Sequence, residues 1–350
     1  MATPNYANPP LAPVAALNKI FDAIVPDLTI TNAVTIGNLV ARGRVQSRTD
    51  PNIDWDVKFP GANSSLVNIY TPNTNNDNSK ALPAHLSFGD QRYSHRFQVS
   101  RVKMAQAATR GVGPLKDLFA EHIRDGLEVI LGDLNKDINV RTDNTELVSI
   151  DIIADDTAAY AGIDPAVEPL WKPVISKSGT ERAFSRDLMD LFDVQTRTMK
   201  ATYDMVQMHP MMEYKYRKLF RNLAGAASLP QDTTDGPLKL VDLGLGESRY
   251  GNRPIILEPD MPDGQIRFLK FTDMTLWFFA LAGQREGMPA SLNEVINTTT
   301  GLPIHIVEYH SEPNTVRTFE LYAVSPQLQV RNRRSIAAIK NISLTPADPA

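Results

Sequence analysis

Between residues 114 and 138 the apolar positions recur at steps of three and four. Leu115, Leu118, Phe119, Ile123, Leu127, Ile130, Leu131, Leu134 and Ile138 therefore share one face of a helix. Pro114 stands where a first helical turn tolerates proline. "PLKDLFAEHIRDGLEVILGDLNKDI" thus predicts a helix about 37 Å long, unusually long for a globular chain. Gly126 and Gly132 each weaken it by about 1 kcal/mol, so packing has to hold it in place.

Elsewhere the period shortens to two. "NIDWDVKF" alternates and predicts a strand from Ile53 to Phe59, "SLVNIYT" a second short strand, and "HRFQVSRVKM" a third over 95–104. Between them "TPNTNNDNSK", Thr71 to Lys80, consists of turn-forming polar residues. Residues 43–104 hold few large apolar side chains. They read as a protruding two-stranded ribbon that cannot bury a core of its own and must lean on something else.

The remainder mixes both periods. "TELVSIDII" (145–153) predicts a strand. "SRDLMDLFDVQTRTMKA" (185–201) predicts a helix with Ser185 as its N-cap. Asp204–Met208 reads as a short buried strand, after which Pro210 opens a helix running to Gly225. Residues 226–250 are loop-rich. In "YGNRPIILEPDMPDGQIRFLKFTDMTLWFF", Pro254–Glu258 and Gln265–Leu269 read as paired strands joined by "PDMPDG". Two or three strands close the chain, punctuated by Pro326 and "RNRRS". Near the start, Pro4, Pro9, Pro10 and Pro13 keep residues 1–13 extended. "VAALNKIFDAIV" (14–25) can form a short amphipathic helix ending at Pro26.

Composition narrows the function. With 350 residues, 42% of them hydrophobic, the chain can build a sizeable core in two domains or one elaborated one. A net charge of −4 argues against a protein that binds nucleic acid over its whole surface. The absence of cysteine excludes disulfides, thiolate metal sites and cysteine nucleophiles. The first residues lack a basic segment followed by an apolar core, so no signal peptide is expected. No apolar run reaches the ~18–20 residues of a membrane span, and the chain reads as soluble.

The candidate chemistry is sparse. Glu258, Asp260 and Asp263 fall within six residues, but they alternate with prolines in one turn and read as turn formers. His305 and His310 flank Glu308 on a predicted strand, where they would point to opposite faces. "DLGLGES" holds Gly-x-Gly without a strand before it or a helix after it. Asp155 and Asp156 read as a solvated loop. Arg331, Arg333 and Arg334 form a small basic cluster suited to acidic groups on a neighbouring chain. Neither a catalytic residue nor a metal site nor a cofactor is expected, and the chain is not expected to be an enzyme. A metal-dependent hydrolase using Glu258, Asp260 and Asp263 is the least favoured alternative. What stands out is architectural, because an arm and a ribbon that cannot bury themselves belong to chains completed by neighbours.

That order of elements resembles the major capsid proteins of tailed bacteriophages, which share the Hong Kong 97 fold. The carrying stretches are "SRDLMDLFDVQTRTMKATYDMVQMHPMMEYKYRKLF", with its helix, buried strand and Met-His-Pro turn; "YGNRPIILEPDMPDGQIRFLKFTDMTLWFF"; and "YAVSPQLQVRNRRSIAAIKNI". The resemblance implies an α+β fold with an N-terminal arm (1–42) and an extended β-hairpin loop (43–112). A peripheral domain (113–159 and 313–350) would be built on a spine helix at 114–139, beside a mixed α/β axial domain (160–312).

It also implies self-assembly through pentamers and hexamers into an icosahedral virion shell, formed in the host cytoplasm around double-stranded DNA without sequence-specific contacts. The expected partners are a scaffolding protein, a portal and, optionally, a decoration or cement protein, with no membrane. An encapsulin-like shell is the alternative within the fold. Candidate contacts between subunits are Asn73, Asn75, Asn76, Lys80, Arg92, Arg96, Arg331, Arg333 and Arg334.

Overall fold

The computed structural model describes residues 33–59, 80–89, 92–110, 112–140, 147–224, 249–250, 253–279, 294–296, 304–309 and 316–343. Residues 1–32 of the arm, "SLVNIYT", residues 71–79 of the ribbon tip and residues 226–248 of the loop-rich stretch lie outside them, while 34–41 of the arm and 249–250 of that stretch are helix and strand. The chain divides into two compact units, both discontinuous in sequence: 1–49, 89–135 and 276–326 form one, and 50–88, 136–275 and 327–350 the other.

In the first unit, α1 (Val34–Ala41) is followed by β1 (Val45–Arg48), and the side chain of Asn135 accepts from the amides of Thr35 and Ile36 at 3.2 and 3.4 Å. That satisfies donors a helix start otherwise leaves open. β4 (Arg92–Ser100), β11 (Glu294–Ile296), β12 (Ile304–Tyr309) and β13 (Val316–Val324) form an antiparallel sheet in the order β11-β12-β13-β4. The third predicted strand ends at Ser100. Residues 101–109 turn into helix α2 (Arg101–Thr109), because "RVKMAQAAT" no longer alternates.

The long helix α3 runs from Val112 to Val140, 29 residues, with Ile123, Leu127, Ile130, Leu131, Leu134 and Ile138 buried as the period requires. A Cβ on Gly126 would lie 2.7 Å from Cδ1 of Leu321 and 3.0 Å from Cδ2 of His95. The missing side chain therefore lets the helix seat closely on β13 and β4. Phe97 stacks there between His122 and Phe319, at 5.3 and 5.4 Å. Gly132 has nothing within 4 Å. Gly132→Ala is therefore expected to stabilise the chain by up to about 1 kcal/mol, and Gly126→Pro to destabilise it by about 3 kcal/mol or more. Chemical denaturation would read both, and a neutral Gly126→Pro would contradict this packing.

In the second unit, β2 (Asn52–Phe59) and β3 (Lys80–Ser87) pair antiparallel in one register, Asn52 opposite Ser87 and Phe59 opposite Lys80. The base of the ribbon leans on its own chain. Ile53, Val57, Ala84 and Leu86 are buried, Trp55 lies 6.4 Å from Tyr160, and the His85 amide donates to Ala161 O at 3.0 Å. Of the predicted strand at 145–153, the described residues 147–153 are instead coil and a short helix, α4 (Ile150–Ile153). Ser149 reverses the expectation by capping it, its hydroxyl accepting from the Ile152 amide at 3.4 Å.

A six-stranded mixed sheet follows, ordered β5-β15-β9-β6-β8-β7. Its members are β5 (Val174–Ser176), β6 (Met205–Met208), β7 (Arg249–Tyr250), β8 (Arg253–Leu257), β9 (Ile266–Leu269) and β15 (Ile336–Ile339). β10 (Met274–Phe279) and β14 (Gln327–Val330) complete the strands. β8 and β9 are not a hairpin as the sequence suggested. β6 lies between them, parallel to β8 and antiparallel to β9. The Glu258 amide donates to Met208 O at 3.0 Å, so the connection crosses the end of β6. Gly264, at φ +70°, completes the crossing where a Cβ would meet Ile342 O at 2.7 Å.

One face of this sheet is covered by α5 (Arg186–Thr198) and α6 (Pro210–Ala224). Met189, Phe192, Met212 and Tyr216 pack with Val206, Met208, Ile266, Phe268, Ala337 and Ile339. Ser185 caps α5 as expected, accepting from Leu188 N at 3.2 Å. On the alternate positions, Gln207 donates to Asn139 Oδ1 at 3.0 Å, and buried Arg267 donates to Asn139 O at 3.0 Å and pairs with Asp151 at 3.3 Å. The bond to Asn139 O gives one of the last carbonyls of α3 the partner a helix end lacks.

Candidate assembly surfaces

Of the residues expected to touch a neighbour, Arg92 and Arg96 belong to the first unit and Arg331, Arg333 and Arg334 to the second. Asn73, Asn75 and Asn76 lie outside the described residues. Lys80 opens β3 opposite Phe59.

Arg92 and Arg96 sit on one face of β4, and the register sets Arg96 directly across from Glu320. Glu320 is fully buried; Arg92 Nη2 lies 3.1 Å from its Oε1 and Arg96 Nε 3.3 Å from its Oε2. The Arg92 guanidinium also stands 5.4 Å from the centre of the Tyr322 ring, on which His305 stacks at 5.0 Å. Burial pushes the His305 imidazole down from its ordinary value, which favours its neutral form. Two arginines thus flank one buried carboxylate, with Arg96 largely in solvent. The cluster ties β4 to β13.

Arg331 is exposed and Arg334 half-buried. Arg333 needs correcting, because it is inside the subunit and cannot reach a neighbour. Its Nε donates to Ile153 O at 2.9 Å, and its Nη2 to the carbonyls of Ile152, Asp155 and Ala158 at 3.3, 2.5 and 2.8 Å. The guanidinium lies 5.9 Å from the Tyr160 ring centre. Burial pushes it down to about 10, against the pull of Tyr160, Asp155 and Asp156, so it stays charged at neutral pH.

The acidic turn also differs from expectation. Glu258 opens the turn as expected but is not exposed there. It is fully buried, accepts from the Asp260 amide at 3.3 Å and acts on Arg267. Among the described residues, no three His, Asp or Glu side chains converge as a metal site would require. His310 lies outside the described residues. Asp155 accepts from Thr157 N and Oγ1 at 2.8 and 2.6 Å, and Asp156 pairs with Lys177 at 2.5 Å. No described helix is long and apolar enough to cross a membrane.

Sequence reasoning missed the outer side of the helix layer. Leu191 and Val194 on α5, and Met211 and Tyr214 on α6, are 52–69% exposed although large and apolar. The signal was present in "DLMDLFDV", where Leu188, Met189, Leu191, Phe192 and Val194 surround the helix instead of lining one stripe. A helix apolar on more than one side is normally covered on more than one side.

No family model matches the chain, and no curated protein matches it by sequence. Solved structures do. The capsid asymmetric unit of cyanophage A-1(L) matches at TM-score 0.65 and 19% identity, over 85% of this chain and 90% of that one. The capsid of a native GTA particle matches at TM-score 0.52 and 11% identity, over 98% and 95% of the two chains. The chain therefore has the Hong Kong 97 capsid fold, an α+β architecture.

Proposed function

We propose that the chain is the major capsid protein of a tailed phage, self-assembling into an icosahedral head shell around packaged DNA. The observation that carries this reading is the shared fold with the cyanophage A-1(L) capsid over 85% of the chain. The 29-residue α3 and the exposed apolar helix layer both suit a subunit completed by copies of itself.

In this reading 1–42 is the arm and 43–112 the extended loop. α3 is the spine of a peripheral domain completed by 313–350, and 160–312 is the axial domain. β12 joins the sheet of β13 and β15 joins the sheet of β9, so strands are exchanged across those limits. The work is structural rather than catalytic. Its partners are further copies in pentamers and hexamers, with a scaffolding protein, a portal and a decoration or cement protein. It resides in the virion after assembly in the host cytoplasm.

Electron cryo-microscopy of the expressed chain tests this. Closed shells or capsomer rings are expected, and a monodisperse monomer at every concentration would overturn the reading. Particles that enclose an enzyme cargo instead of DNA would move it to an encapsulin-like shell.

A further inference from the structure

Helices α5 and α6 pack on the same face of the six-stranded sheet, since Met189, Phe192, Met212 and Tyr216 enter the same core cluster. Their other sides turn away from it. On α5, Asp187, Leu191 and Val194 follow at i, i+4 and i+7, and on α6, Met211, Tyr214 and Lys218 follow at i, i+3 and i+7. Along these rows each helix presents two exposed large apolar side chains and one exposed charge.

The neighbouring charges are already neutralised within the chain. Arg186 pairs with Asp190 at 3.3 Å, Arg197 and Arg253 both reach Asp193 at 2.7 Å, and Arg217 pairs with Glu213. Asp187 and Lys218, of opposite sign, make no ion pair or side-chain hydrogen bond among the described residues.

We infer that this outward face, Asp187–Leu191–Val194 with Met211–Tyr214–Lys218, is a contact surface whose occupant is a second copy of the same chain. The inference rests on the shell-forming reading and names where one of its contacts lies. The charge pattern selects the occupant. Nucleic acid requires a cationic surplus, and an anionic membrane surface requires a basic rim around a larger apolar face. An apolar centre with one carboxylate and one ammonium that make no ion pair among the described residues suits a partner carrying the same two groups.

The chain has no cysteine, so a single introduced thiol reports one position. Leu191→Cys and Tyr214→Cys, on separate helices, would each be treated with a maleimide before and after assembly. Labelling is expected to slow at least tenfold in particles. Leu191→Glu is expected to keep the wild-type circular-dichroism spectrum and lower particle yield at least tenfold. Normal particles of the two cysteine variants in which each thiol labels as fast as in free subunits would overturn the inference and leave the shell reading standing. A wild-type chain that forms no particle would overturn both. Protection that disappears when another protein is stripped from the particle would assign the face to that protein and overturn the inference.

Discussion

Replacing Arg333 with alanine is expected to destabilise the folded chain by about 4 kcal/mol. One guanidinium serves the carbonyls of Ile152, Ile153, Asp155 and Ala158, so its removal strands four acceptors in or near the interior. A hydrogen bond from a charged donor contributes about 1.5–3 kcal/mol, and an orphaned buried acceptor costs a comparable amount. Sharing of Nη2 among three carbonyls keeps the total well below the sum. In a unit of this size the melting midpoint should fall by about 8–16 °C. Arg333→Lys should recover less than half, because an ammonium cannot span acceptors that a planar fork reaches together. A melting midpoint within 2 °C of wild type for Arg333→Ala would show that 152–158 does not depend on this cradle.

Shortening the ribbon tip, Asn73–Ser79, to a brief Gly-Ser turn is expected to separate folding from assembly. The base is held by Ile53, Val57, Ala84 and Leu86 against the chain's own second unit, so the fold does not need the tip. Loop length itself changes stability little. The shortened chain should keep its circular-dichroism spectrum and melting midpoint yet form no regular closed particles, because in the shell reading the tip bearing Asn73, Asn75 and Asn76 reaches a neighbour. Normal shells would remove the tip from the list of contacts. Unfolding would mean that the ribbon belongs to the core of its own subunit.

Features set by local pattern were readable in the sequence; features set by distant partners were not. The α3 face from Ile123 to Ile138, the Ser185 cap and the helix opened by Pro210 each follow from residues a turn apart. The slot of β6 between β8 and β9 does not, since "PDMPDG" carries the same turn signal whether the strands it joins touch or are separated by a third. "TELVSIDII" misled because its β-branched residues favour a strand, while a single hydroxyl at Ser149 starts a helix. Arg333 looked like one of three surface cations, and nothing near it in sequence announces the carbonyls, about 180 residues earlier, that hold it. The outer face of α5 was the one part of the candidate surface that pattern alone could have shown.

The place of β15 bears on how the chain is made. It fills an interior slot, parallel to β5 on one side and antiparallel to β9 on the other, although both neighbours are synthesised long before it. A growing chain therefore carries two unpaired strand edges in the middle of its largest sheet until residues 336–339 have left the ribosome. Its sheet cannot close during translation, and a chain broken off earlier is left with the open edges that invite aggregation and proteolysis. The core beneath α5 and α6 draws on Ala337, Ile339 and Ile342, so it stays incomplete until that last strand has been made.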